Sequence, residues 1–230
     1  MINSVAEKPD SKATTQSILI LLYTPIVLTV FIYYGSSSFY NRHFGPAHGP
    51  AAQYYYFLAS FILLGIIPLL IWRLGFRRKF SEMGLAPGNV KFMITFTFIG
   101  IAVMAILAFL SSTNPAFRAE YPLFRGFLTN PTGFGFYILM YALYYLGWEF
   151  FFRGFMLFGL ENRFGRTFSI LIQTIPSCLV HIGKSEAEIF SSIIAGLVFG
   201  WVAFRCRSIW PLFFSHWALG ALLDVFIIYR

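Results

Sequence analysis

The chain is poor in charge. Asp, Glu, Lys and Arg make up only 11% of its 230 residues, where soluble domains carry roughly a quarter. That shortage excludes an ordinary water-soluble fold and leaves no length for a sizeable soluble domain. Cysteine is nearly absent. Cys178 lies inside an apolar run and Cys206 in a basic loop, which makes no disulfide framework. Without CxxC spacing the two make no thiolate zinc site either, and both are read as free thiols. The four histidines never occur as the pair four apart that marks a helical zinc site. His43 and His48 fall in a loop and are read as solvated. No internal repeat and no low-complexity tract is present, which argues against a transporter built of inverted repeats.

What is plentiful is apolar. Hydrophobic residues reach 58% and aromatics 20%, and the mean hydropathy is +0.70. A membrane span needs about 20 apolar residues. Seven runs qualify: 17–35, 54–73, 92–111, 132–160, 167–182, 187–204 and 208–228. The fourth is too long for one straight crossing, so it must tilt, bend or protrude. Pro176 puts a kink or local break in the short fifth. The expected fold class is an all-α, polytopic transmembrane bundle of about seven spans. Residues 1–16 form a polar cytoplasmic tail, 17–131 the N-terminal spans and loops, and 132–230 the core. An uncleaved first span is expected rather than a signal peptide.

The net charge of +8 does not indicate nucleic acid, because the basic residues sit between apolar runs. There they orient spans and attract anionic lipid headgroups. With seven spans, one side carries Lys8, Lys12, Arg73, Arg77, Arg78, Lys79, Lys91, Arg163, Arg166, Arg205 and Arg207. The other carries Arg42, Arg118, Arg125, Lys184 and Arg230. The bias predicts a multi-pass protein of the plasma or inner membrane with a cytoplasmic N-terminus.

Within the fourth run stands Gly147-Trp148-Glu149-Phe150-Phe151-Phe152-Arg153-Gly154. An ionisable group at membrane depth costs about 2.5–3.5 kcal/mol on insertion scales, so it needs a partner or a task. Glu149 and Arg153 are four apart, on one helix face, where each neutralises the other. His181 and His216 lie within or at the ends of later runs. At about 1.5 Å per residue, Glu149, His181 and His216 sit roughly 21, 22 and 14 Å from the basic boundary, close enough to share one layer. One shared polar cavity would satisfy all three.

A carboxylate with two imidazoles is suited to hydrolysis. A desolvated Glu149 has the basicity to activate water, and a histidine can aid the oxyanion or the leaving amine. The same three side chains could instead hold zinc with an open position. The alternatives are structural. Glu149–Arg153 reads equally as an ion pair tying one helix together, His181 as an interfacial residue near Lys184 and Glu186, and His216 as a hydrogen-bonded packing residue. Asp224, two turns beyond His216, is placed near the outer headgroups. Gly196 and Gly200 read as a close helix contact. Gln173 is a candidate for an interhelical hydrogen bond.

The run from Glu149 through Arg153-Gly154, with His181 about thirty residues later and then His216, resembles the CPBP intramembrane protease family. That family includes the CAAX prenyl endopeptidases and the bacterial Abi and bacteriocin-immunity membrane proteins. The resemblance covers roughly 135–226. It implies an intramembrane endopeptidase in which Glu149 activates water, Arg153 supports it, and His181 and His216 assist. No metal is required on that reading; zinc, if used, would take Glu149, His181 and His216. The implied partners are membrane lipids and a membrane-anchored protein or peptide substrate. Three positions depart from the family pattern. Trp148 stands where a first glutamate is common, Ser177 where a phenylalanine is common, and Gly220 where an asparagine helps bind the oxyanion. Loss of an oxyanion donor typically costs about 3–4 kcal/mol. Either another group replaces it, with Trp148, Ser215 or a backbone N–H as candidates, or the chain is a catalytically weak member serving as a scaffold or immunity protein.

Overall fold

The structure, a computed structural model, describes residues 11–230. Among them there is no strand. The helices are α1 (Ser11–Tyr34), the short α2 (Ser37–Phe44), α3 (Ala51–Gly75), α4 (Val90–Ser111) and the short α5 (Pro115–Glu120). After them come α6 (Phe134–Glu149), α7 (Gly159–Leu179), α8 (Glu186–Cys206) and α9 (Trp210–Tyr229). The chain is therefore an all-α polytopic bundle. Most of the tail expected at 1–16 lies outside the described residues, but its last part does not remain a tail. α1 begins at Ser11, and the Gln16 amide donates to the Gly159 carbonyl at 2.7 Å.

Five helices are long and apolar enough to cross a membrane: α1, α3, α4, α8 and α9. The remaining two predicted runs are helical as well. α6 is short, at 16 residues, and α7 opens on the charged Glu161, Arg163 and Arg166. The break expected at Pro176 is not where the chain turns. α7 is interrupted at Gly165, whose φ of 71° is left-handed, and runs through Pro176 to Leu179. Pro176 lies in the last turn, three residues before that helix ends.

α6 and its continuation are the axis of the bundle. From Phe150 to Phe158 the backbone widens into a π-helix, and all nine of its residues are buried. Such widened turns are rare and cluster at functional sites. α3 packs along α6, α1 crosses the start of α7, α8 lies on α7, and α4 pairs with α9. The α7–α8 contact uses the small residues named above. A Cβ at Gly196 would meet Thr174 at 2.7 Å, and the Gln173 amide donates to the Gly196 carbonyl at 2.8 Å. Where α3 meets α6, a Cβ on Gly147 would stand 2.6 Å from the Ser60 carbonyl oxygen. Only a hydrogen fits there. This approach fixes the height of Glu149, two residues on.

Gly147→Leu is therefore expected to force α3 from α6. The cost should be about 1–3 kcal/mol, as for overpacked cores. It would be read as a lower unfolding midpoint in detergent, and an unchanged midpoint would show that the two helices have room to part.

Candidate active site

Glu149 ends the α-helical part of α6 and is fully buried. Its Oε1 accepts from the Arg153 guanidinium at 3.3 Å and from His216 Nδ1 at 2.6 Å. The carboxylate is acceptor-only when ionised, so the His216 proton on this bond sits on Nδ1. That leaves Nε2 as the His216 nitrogen without a protein partner. Glu149 Oε2 is buried with no hydrogen-bond partner among the described residues, as is Arg153 Nε. The guanidinium lies between aromatic faces, 5.3 Å from the Phe199 ring centroid and 5.8 Å from that of Phe152. Charge–quadrupole attraction thus supplements the single ion pair.

His181 follows the last turn of α7. Its Nδ1 lies 2.7 Å from the Ser177 carbonyl. A carbonyl only accepts, so Nδ1 donates, and Nε2 is again the nitrogen left over. The ring stands edge-on to Trp148, with centroids 5.5 Å apart. Trp148 stacks in turn on Tyr144 at 5.7 Å.

These groups meet at one cavity of about 470 Å³. His181, His216 and Trp148 line it, with Tyr145 and other tyrosines. Glu149 does not, since His216 stands between it and the opening. Three sequence-predicted residues are thus brought together in a fixed order, Arg153–Glu149–His216, and His181 reaches the same space without touching the carboxylate. The part of the chain before residue 132 closes the cavity. Ser36, Ser37, Ser38, Gln53, Tyr56, Tyr121 and Leu123 all belong to its wall.

Two features escaped sequence reasoning. Glu188, on the first turn of α8, faces the cavity. It accepts from the Tyr121 hydroxyl at 3.0 Å and lies 4.0 Å from Lys184, which also pairs with Glu120. Burial pushes the Lys184 ammonium down from its ordinary pKa, with Glu188 opposing, and pushes the Tyr121 phenol well up. Loop 112–131 packs into the protein, since its own Tyr121 and Phe127 are buried. Asp224, placed near the headgroups by sequence reasoning, is instead fully buried beside Tyr137. The second missed group is Tyr145, whose ring centroid is 4.6 Å from that of His216. One tyrosine among thirteen carried no signal until its neighbours were known.

Among the described residues no three His, Cys, Asp or Glu side chains are grouped to hold a metal.

A protein-family model described as type II CAAX prenyl endopeptidase Rce1-like matches residues 130–222. The match is consistent with the CPBP resemblance, and the matched stretch contains Trp148, Glu149, Arg153, His181, His216 and Gly220, but not Asp224. Neither the curated proteins nor the solved structures contain a match. Five apolar helices and this match support an integral membrane protein, part of which is similar to the type II CAAX prenyl endopeptidases.

Arg153→Ala would leave the Glu149 carboxylate buried with His216 alone. Breaking one partner of a buried pair typically costs about 3–5 kcal/mol. A fall of that size in detergent unfolding is expected, and wild-type stability would mean that Glu149 is held by His216 without Arg153.

Proposed function

We propose that this protein is an intramembrane endopeptidase, and that residues 132–230 form its catalytic core while 17–131 complete the cavity. The observation that carries this reading is the 2.6 Å bond between Glu149 and His216 at the edge of a cavity shared with His181. A carboxylate that accepts from Nδ1 fixes the imidazole tautomer and makes Nε2 basic. Sequence reasoning gave Glu149 the base role alone. The packing favours the Glu149–His216 pair acting as a unit, with His216 as the member that meets water.

In this scheme water oxygen attacks the scissile carbonyl carbon and its proton passes to the pair. The carbonyl π electrons move to oxygen. Collapse of the tetrahedral intermediate returns them and breaks the C–N bond, and the amine departs with the proton held by the pair. His181, with Nε2 turned to the same space, orients the water or the departing nitrogen. Arg153 pairs with the carboxylate and holds it in place. The substrate is a membrane-anchored protein or peptide, admitted as an extended segment to a cavity between lipid and water.

The test compares Glu149→Gln, His216→Ala and His181→Ala with wild type, after confirming unaltered unfolding in detergent, on membrane-anchored peptides. Loss of at least about 10²-fold in kcat is expected for each, the usual scale of acid–base catalysis. Cleavage unaffected by all three would instead favour a scaffold or immunity role, with Glu149–Arg153 as a structural pair.

The basic residues bear on orientation. The cavity wall at Ser36–Ser38, Tyr121 and Lys184 lies on the side with fewer Lys and Arg. We place that mouth outside the cytoplasm, with substrate arriving from there. In a chain lacking its native thiols, Ser38→Cys should react with a membrane-impermeant maleimide added to intact cells. Protection in intact cells with labelling only after lysis would put the mouth in the cytoplasm.

A further inference from the structure

Gly220 stands on α9, one turn beyond His216, and is buried. A Cβ built on it would fall inside contact distance of the Tyr145 hydroxyl oxygen and within 3 Å of that ring's Cζ and Cε2. The phenol therefore occupies the space into which any side chain at 220 would project. Its ring packs on His216, centroids 4.6 Å apart, and the residue lines the cavity. The hydroxyl is thus held at the end of a rigid two-torsion side chain beside the imidazole assigned above to the attacking water.

Several hydroxyls nearby are already engaged. The Ser215 hydroxyl donates to the Pro211 carbonyl at 2.6 Å and abuts Gly100 on α4. The Tyr121 hydroxyl is given to Glu188, and that of Tyr56 to Tyr144. The Trp148 indole sets its ring against His181.

We propose that Tyr145 is a further catalytic residue, whose phenolic O–H donates to the oxyanion formed on the scissile carbonyl. The proposal rests on the endopeptidase reading. No proton leaves the phenol. When the water oxygen bonds to carbon, the carbonyl electron pair localises on oxygen and the Tyr145 hydrogen bond shortens onto it; collapse reverses this as the C–N bond breaks. A donor of this kind favours the transition state over the bound ground state, so it acts on kcat rather than KM.

The experiment measures kcat and KM separately on a membrane-anchored peptide for wild type, Tyr145→Phe and Glu149→Gln, all with unfolding midpoints checked. Tyr145→Phe keeps the ring and its packing. It should lower kcat by about 10²–10³-fold with KM nearly unchanged. Wild-type kcat in Tyr145→Phe, with Glu149→Gln inactive, overturns the role of Tyr145 and leaves the endopeptidase reading standing. A fall in kcat/KM carried by KM makes Tyr145 a substrate-binding or packing residue and also overturns it. Full activity in Glu149→Gln sinks the endopeptidase reading itself, and the role of Tyr145 with it.

Discussion

The constraint on which the rest of the structure turns is a carboxylate with no exposed surface in a chain that is mostly apolar. A buried charge is tolerable only with an opposite charge and hydrogen bonds around it. Arg153 supplies the first from the same helix, and His216 supplies a bond from α9. Arg153 must itself be buried for this, and the aromatic rings of Phe152 and Phe199 surround it without hydrating it. The site is thus a layered object: guanidinium, carboxylate, imidazole, cavity.

Holding those layers in line is a packing problem. The two bonds to Oε1 come from different helices, so α6 and α9 must keep their relative height. α9 is clamped by α4 on one side and α6 on another. α6 is set by the close approach at Gly147, which admits no side chain. At the basic end, the Gly84 carbonyl accepts from the Ile209 amide at 2.9 Å and the Cys206 carbonyl from the Asn89 amide at 2.8 Å. The loop between α3 and α4 is thereby tied under the α8–α9 turn. These backbone bonds restrain the start of α9, seven residues before His216.

Much of this was legible in the sequence, for physical reasons. The apolar runs marked every long helix, because burial in lipid demands length and uniform hydrophobicity. Glu149, His181 and His216 stood out because a polar side chain in such a run needs a partner, and depth counting placed them in one layer. Cross-helix facing was not legible. Nothing in the spacing says that His216 reaches Glu149 while His181 reaches only the cavity, because the rotation of each helix is set by packing. Asp224 shows the same limit: its distance from His216 along α9 was readable, but not that the neighbouring tyrosines bury it. Pro176 misled because proline marks a possible break, whereas the turn went to Gly165, which alone offers a left-handed backbone there.

Charge arithmetic ties the proposed chemistry to this arrangement. The Arg153–Glu149 ion pair carries no net charge. A proton taken from water by the Glu149–His216 pair adds one positive charge in a low-dielectric setting. In the proposed reaction that charge appears only as the carbonyl oxygen becomes negative a few ångströms away, so the two form a pair. The enclosure that penalises a lone imidazolium then strengthens its attraction to the oxyanion. A phenol beside the imidazole adds to the same balance, because it donates to the anion without introducing a charge of its own. A lysine or arginine in place of Tyr145 would give the buried layers a permanent excess of positive charge and disfavour the protonated pair. A neutral donor is what the arithmetic of this site requires.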